Sequence, residues 1–213
     1  MPDVAQSVLF LAAAVVLAVT PGPGIFYVAA RSLSGGRGEG IASSLGTGLG
    51  GMVHVLAGSI GVSALVLASA ELFTALKLLG ALYLVWLGLR TLQAERRDAT
   101  LALQAASVGA GRAFREGVLV EALNPKTAAF FLAFIPQFVD PASGRVALHF
   151  ALLGLVSVTL NTLADVLVAF VAGGVRAAAS ARPSLIRRLR EASGAAMIAL
   201  GVGLALARRP ATS

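Results

Sequence analysis

The sequence predicts an all-α membrane protein of about six transmembrane helices, in two inverted three-helix repeats with helices 1 and 4 broken. Three observations carry this prediction. Hydrophobic residues make up 57% of the 213-residue chain and charged residues 13%, unlike a soluble domain. A chain of this length has room for about six bilayer crossings at ~20 residues each. Two of its apolar stretches carry proline in their bodies, at Pro21 and Pro23 and again at Pro125.

The absence of cysteine excludes disulfides, thiolate metal sites and thiol redox chemistry. A net charge of +7 fits basic cytoplasmic loops in such a chain, with no nucleic-acid partner implied. The first apolar stretch lacks a preceding Lys or Arg and a small-residue cleavage pattern, so it is expected to be retained.

Span 1 is expected from Val4 to Ala30, interrupted by Thr20-Pro21-Gly22-Pro23-Gly24. The prolines remove two donors and push the residues before them out of the helical region. Were the helix continuous, they would free the carbonyls of Leu17 and Val19. In a bilayer such groups must be satisfied by protein or by a watered cavity, and a broken helix of this kind points to a transporter site. A bland proline kink is the competing explanation. A glycine-rich polar turn is expected from Arg31 to Gly40, then span 2 from Ile41 to Ala68. There Gly46, Gly50, His54 and Gly58 recur every four residues and share a helix face. That places His54 against protein, as a packed residue or as a substrate or proton group.

Span 3 is expected from Leu72 to Leu92, with Tyr83 and Trp86 as packing or interface aromatics. The polar stretch from Gln93 to Arg115 reads as the longest loop or as an interfacial helix. Span 4, Phe114 to Phe138, contains Glu121, Asn124, Pro125, Lys126 and Pro136. Pro125 would free the Glu121 carbonyl. Span 5, Val146 to Gly174, carries Ser157, Asn161 and Asp165 at four-residue spacing, and span 6 runs from Ala192 to Ala207. The repeats are drawn as 1–92 and 114–213 around a cytoplasmic loop at 93–113. Three spans per half invert the second half, and its site is expected between the halves near the midplane. The turns after spans 1, 3 and 5 hold most of the arginines, among them Arg31, Arg37, Arg96, Arg97, Arg187 and Arg188. The positive-inside rule then puts both termini outside.

Charges inside spans cost about 2.5–3.5 kcal/mol each on insertion scales and face protein or water. Glu121, Lys126 and Asp165 are the candidates. Lys126 has three expected partners: Glu121, Asp165 or a bound carboxylate. Asp165 is the foremost proton-coupling candidate, because burial disfavours the charged form of a carboxyl group. A helix clamp between Asp165 and Asn161 is the alternative.

The run Thr20 to Gly24, with the glycine-rich stretch after it, resembles the first block of the LysE/RhtB amino-acid exporters. Phe114-Arg115-Glu116-Gly117, Ala122 to Lys126, Phe130-Phe131 and Pro136-Gln137-Phe138 are similar to its second. Gly80 to Leu84 with Trp86-Leu87-Gly88 resembles the third-span pattern, and Asp165 stands where members often carry an aspartate. The resemblance implies a bacterial inner-membrane exporter of amino acids or close analogues, driven by proton antiport. It places substrate at Thr20, Pro21, Gly22, Pro23, Gly24, Asn124, Pro125 and Lys126, with Asp165 nearby; Glu121, where members are expected to carry an uncharged residue, joins Asp165 as a proton-coupling candidate on its in-span charge alone. Asn161 and His54 are expected as supporting polar residues. The expected partners are an amino acid, protons and lipid, and a homo-oligomer is compatible; no metal, cofactor or catalytic residue is expected. The rivals are an inorganic-ion exporter, which should show more in-span carboxylates, thiols or histidines, and a non-transporting assembly protein. A membrane enzyme is disfavoured, since no H-x-x-x-H cluster or Ser/His/Asp arrangement is present.

Overall fold

The structure is a computed structural model that describes residues 4–68 and 107–174, with isolated positions between 75 and 89 and at 198 and 202. The third and sixth predicted spans, and most of the loop from Gln93, therefore lie outside the described residues. Every regular element among the described residues is helical. In chain order these are α1 (Val4–Val19), α2 (Pro23–Ala68), α3 (Ala110–Ala122), α4 (Pro125–Ala129) and α5 (Val146–Gly174). One π-helical turn, Phe130–Phe134, and two 3-10 turns, Ile135–Phe138 and Pro141–Ser143, join α4 to α5.

Large apolar side chains such as Leu9, Ile60 and Leu167 lie on the outside. In water such a surface would aggregate; against lipid it is the ordinary exterior of a spanning helix. Pro23–Gly61 and Val146–Gly174 are each long and apolar enough to cross a membrane. Ala110–Ala122 and Pro125–Phe138 form a further pair, bent by 41° at the break between them.

The helix α2 departs from expectation. Its 46 residues would reach about 70 Å if straight, more than twice the ~30 Å hydrocarbon core. The polar turn expected from Arg31 to Gly40 shrinks to one non-helical residue, Gly36, at φ 78° and ψ −171°. Only glycine readily takes that conformation. The residues around it stay helical because their polar groups are served locally. Ser32 Oγ donates to the Val28 carbonyl at 2.6 Å and Ser34 Oγ to that of Ala30 at 2.8 Å. Just beyond the break, the buried Glu39 reaches the entrance of α3. Its Oε1 accepts from Ser107 Oγ at 2.5 Å, Val108 N–H at 3.0 Å and Gly109 N–H at 2.6 Å. The polar loop expected to run to Arg115 therefore ends sooner, since α3 begins at Ala110.

The glycine stripe on α2 brings backbones together, as its spacing predicts. A Cβ on Gly46 would strike the Phe114 carbonyl, one on Gly50 that of Val118, and one on Gly58 the Phe150 ring. Gly117 reciprocates from α3, where a Cβ would sit 2.7 Å from the Ser43 carbonyl. Beyond this contact lies an aromatic core. Phe130 stacks on Phe134 at 4.9 Å between centroids, and Phe138 meets Phe10 edge-on at 5.3 Å. Phe131 meets Phe150 at 6.1 Å. This core anchors α1 and α5 around the second break.

Candidate functional site

The site forms where the two breaks face each other. At the first, α1 stops at Val19 and α2 starts at Pro23. Pro23 occupies a first-turn position whose N–H would have no partner in any case. The Gly22 carbonyl takes the first helical bond, from Phe26 N–H at 2.9 Å. The Val19 carbonyl, expected to be freed by Pro23, is thus not part of a continuous helix. The carbonyls exposed toward the interior are those of Leu17 and Thr20. Lys126 Nζ donates to both, at 3.1 Å and 2.9 Å. Thr20 turns its own hydroxyl onto the Val16 carbonyl at 2.5 Å. Lys126 reaches this position across Gly22, where a Cβ would lie 3.2 Å from Cδ and Cε.

At the second break, Asn124 caps α4. Its Oδ1 accepts from Lys126 N–H at 3.0 Å, as capping requires. Its Nδ2 donates to Glu121 Oε2 at 2.8 Å. Thr127 Oγ1 donates to Glu121 Oε1 at 2.6 Å. Both oxygens of this 1% exposed carboxyl group therefore have a donor. Its Oε2 also lies 2.6 Å from where a Cβ on Gly24 would stand. The carbonyl of Glu121 accepts from Asn124 N–H at 3.0 Å and lies 2.8 Å from His54 Nε2.

Asp165 stands to one side. Its Oδ2 is 2.7 Å from Thr47 Oγ1, which is also 2.8 Å from the Ser44 carbonyl. A threonine hydroxyl has one proton, so it donates to one of these at a time. The partner of Asp165 is thus Thr47 on α2, and not Asn161 as the clamp reading expects. Residues four apart on one helix stack along its face, whereas Thr47 points across from the facing helix. Asp165 Oδ1 and Ser157 Oγ are buried without a hydrogen-bond partner among the described residues. Between α2, α3 and α5 lies a cavity of about 10 Å³, lined by Leu17, Thr47, Glu121, Thr127, Ser157 and Asn161 among others. On that measure it has room for about one water molecule.

The structure therefore gathers Thr20, Gly22, Gly24, Glu121, Asn124, Pro125, Lys126 and His54 around the paired breaks. Asn161 joins them at the cavity wall, and Asp165 connects through Thr47. The ammonium of Lys126 bonds backbone carbonyls instead of the carboxyl groups named as its partners. Sequence reasoning missed Thr47 and Thr127 and gave Ser157 no role. The recurrence Glu39, Ser43, Thr47 at four-residue spacing was the available signal for one polar face on α2.

Over residues 15–208 the chain matches the family described as LysE type translocator. The chain belongs to this family. It is accordingly a membrane transporter and not an enzyme. An uncharacterized membrane protein of Vibrio cholerae is 30% identical over 97% of this chain and 99% of its own length. One from Pseudomonas aeruginosa is 36% identical over 88% of each. A homoserine/homoserine lactone efflux protein of Salmonella typhimurium is 30% identical over 93% of this chain and 95% of its own. No solved structure matches the chain. Thr20, Glu121, Asn124 and Lys126 are buried at the two proline breaks, where irregular backbone is tolerated because it lines protein and a cavity.

Proposed function

We propose that this translocator exports a small zwitterionic amino acid, or a close analogue, from the bacterial cytoplasm by proton antiport. The observation that carries the reading is the buried Glu121 carboxyl group at the meeting of two helix breaks, on the wall of a cavity. The name of the Salmonella relative makes homoserine and its lactone the first substrates to try. In this reading Glu121 receives the substrate amine. The remaining proton of Lys126 and the first-turn amides of α2 receive the carboxylate, between Thr20 to Gly24 and Asn124 to Lys126. Asp165, with one oxygen free and Thr47 on the other, takes up the exchanging proton, and Asn161 and His54 support the site. The basic turns face the cytoplasm and both termini lie outside, with the two breaks related by an inverted repeat. A cavity of about 10 Å³ is far too small for an amino acid, so the packing of α2, α3 and α5 must open to admit one.

The test uses purified protein in liposomes with an internal pH dye. Homoserine, its lactone, and basic and branched amino acids are supplied as gradients in turn. The expected result is a proton flux opposite to substrate, for one subset of the panel. It should vanish in the double variant Asp165→Asn, Glu121→Gln. Equal proton-coupled transport by wild type and this variant would sink the mechanism.

A further inference from the structure

Each break releases a backbone carbonyl, and each of these is held from across the molecule. The carbonyl of Leu17, four residues before Pro21, accepts from Lys126 Nζ at 3.1 Å. Lys126 stands in the first turn of α4, the helix that opens at the Pro125 break. The carbonyl of Glu121, four residues before Pro125, lies 2.8 Å from His54 Nε2. His54 stands on α2, the helix that opens at the Pro21 break. The side chain that closes each break thus comes from the helix that begins at the other.

The chemistry of the second contact is one-sided. A carbonyl oxygen only accepts, so the facing His54 nitrogen must carry a proton. The imidazole also packs on the Phe131 ring, with centroids 5.7 Å apart and planes at 41°. Phe131 belongs to the aromatic core, so the ring that holds the Glu121 carbonyl is itself held. Glu121 is therefore fixed at both ends: the backbone by His54, the carboxyl group by Asn124 and Thr127. A shift of the backbone at Glu121 would carry its carboxyl group with it.

We propose that His54 is a positioning residue that sets the Glu121 carboxyl group through the Glu121 carbonyl, and that with Lys126 it ties the geometry of each break to the other. This rests on the reading in which Glu121 receives the substrate amine. A histidine that merely fills the core would add stability and leave substrate affinity unchanged. A positioning histidine moves affinity, because the carboxyl group it sets is the one that meets substrate.

Two measurements test this on the full-length protein in bilayers. The chain has 2 histidines, so nitrogen-15 resonances of His54 are assigned by their loss in His54→Gln. The ring is expected to carry a proton on Nε2; an Nε2 without a proton overturns the proposal, whatever the protein transports. In the second, His54→Gln keeps a side-chain donor near the carbonyl, and His54→Leu removes it and leaves the carbonyl only the Asn124 N–H. For the amino acid carried by wild type, KM is expected to rise about tenfold in His54→Leu, the scale of one lost hydrogen bond to a placed group, with kcat within about twofold. His54→Gln should stay within about threefold of wild type in both, since the donor is kept. Equal KM values in the two variants overturn the proposal. If wild type moves nothing in the panel, the export reading fails separately, while the ring's proton still decides whether His54 donates to the Glu121 carbonyl.

Discussion

At the scale of single residues, the site depends on how closely α2 approaches Glu121. Gly24 has no side chain, and Glu121 Oε2 occupies the space where one would start, 2.6 Å from a Cβ position. Gly24→Ala should therefore displace the carboxyl group and loosen its bonds to Asn124 and Thr127. A transport loss of at least about tenfold is expected, with the protein still folded, since the atom that must yield ends a side chain; geometry errors near 1 Å have such effects. Wild-type flux from a well-folded Gly24→Ala protein would show that Glu121 needs no fixed place. Lys126 makes a second case. Lys126→Met preserves much of the stem but leaves the Thr20 carbonyl without this donor and the Leu17 carbonyl with only the Thr20 N–H at 3.2 Å. A buried polar group left unpaired costs about 1–3 kcal/mol, so a clear fall in melting temperature is expected in detergent. An unchanged melting temperature would mean that the two carbonyls find other partners. Both residues were visible in the sequence, because prolines and charges stand out in apolar spans. Thr47 and Thr127 were not. A hydroxyl in such a helix ordinarily bonds a carbonyl one turn back, and the sequence does not reveal which ones turn to a carboxyl group.

At the scale of elements, the break in α2 and the entrance to α3 form one device. Gly36 interrupts the helix, and three residues later Glu39 gathers three donors from Ser107, Val108 and Gly109. It holds the segment that leads into α3, whose first residue is Ala110. Gly109, which precedes it, has no side chain to offer, and it sits at φ 84°. Glu39→Ala should therefore destabilise the fold by about 1–3 kcal/mol, the range for orphaned amides. Ser107→Ala should cost less, because the two amides keep their acceptor. Thermal unfolding of both variants checks the order, and a Ser107→Ala loss equal to that of Glu39→Ala would contradict it. Composition marked residues 31–40 as a turn, yet the structure keeps them helical around one residue. Glycine content reports where a chain is free to bend; it does not report which glycine takes the unusual backbone conformation. The stripe on α2 was legible for the opposite reason. Its four-residue period is itself the geometry of a helix face, so Gly46, Gly50, His54 and Gly58 all met protein as their spacing required.

At the scale of the whole molecule, the outer apolar surface and the inner polar cluster describe a protein turned toward lipid outside and toward a small guarded space within. Ser157 lies on that space. It is 4% exposed, lines the cavity and has no hydrogen-bond partner among the described residues. A solute larger than water reaches it only when the packing of α2, α3 and α5 opens. The native chain contains no cysteine, so Ser157→Cys gives a single thiol without further engineering. Thiol reagents react with the exposed thiolate, which makes labelling rate a measure of opening. In membranes at rest the rate should be slow. Under a gradient of transported amino acid it should rise at least about tenfold, since a ligand shifts populations in proportion to its preference for the open form. The rise should require Glu121, and Glu121→Gln in the same protein should hold the thiol at its resting rate. Fast labelling at rest would mean that the cavity opens without substrate. Equal rates with and without substrate, alongside measured transport, would mean that the solute passes by a route other than the space between the two breaks.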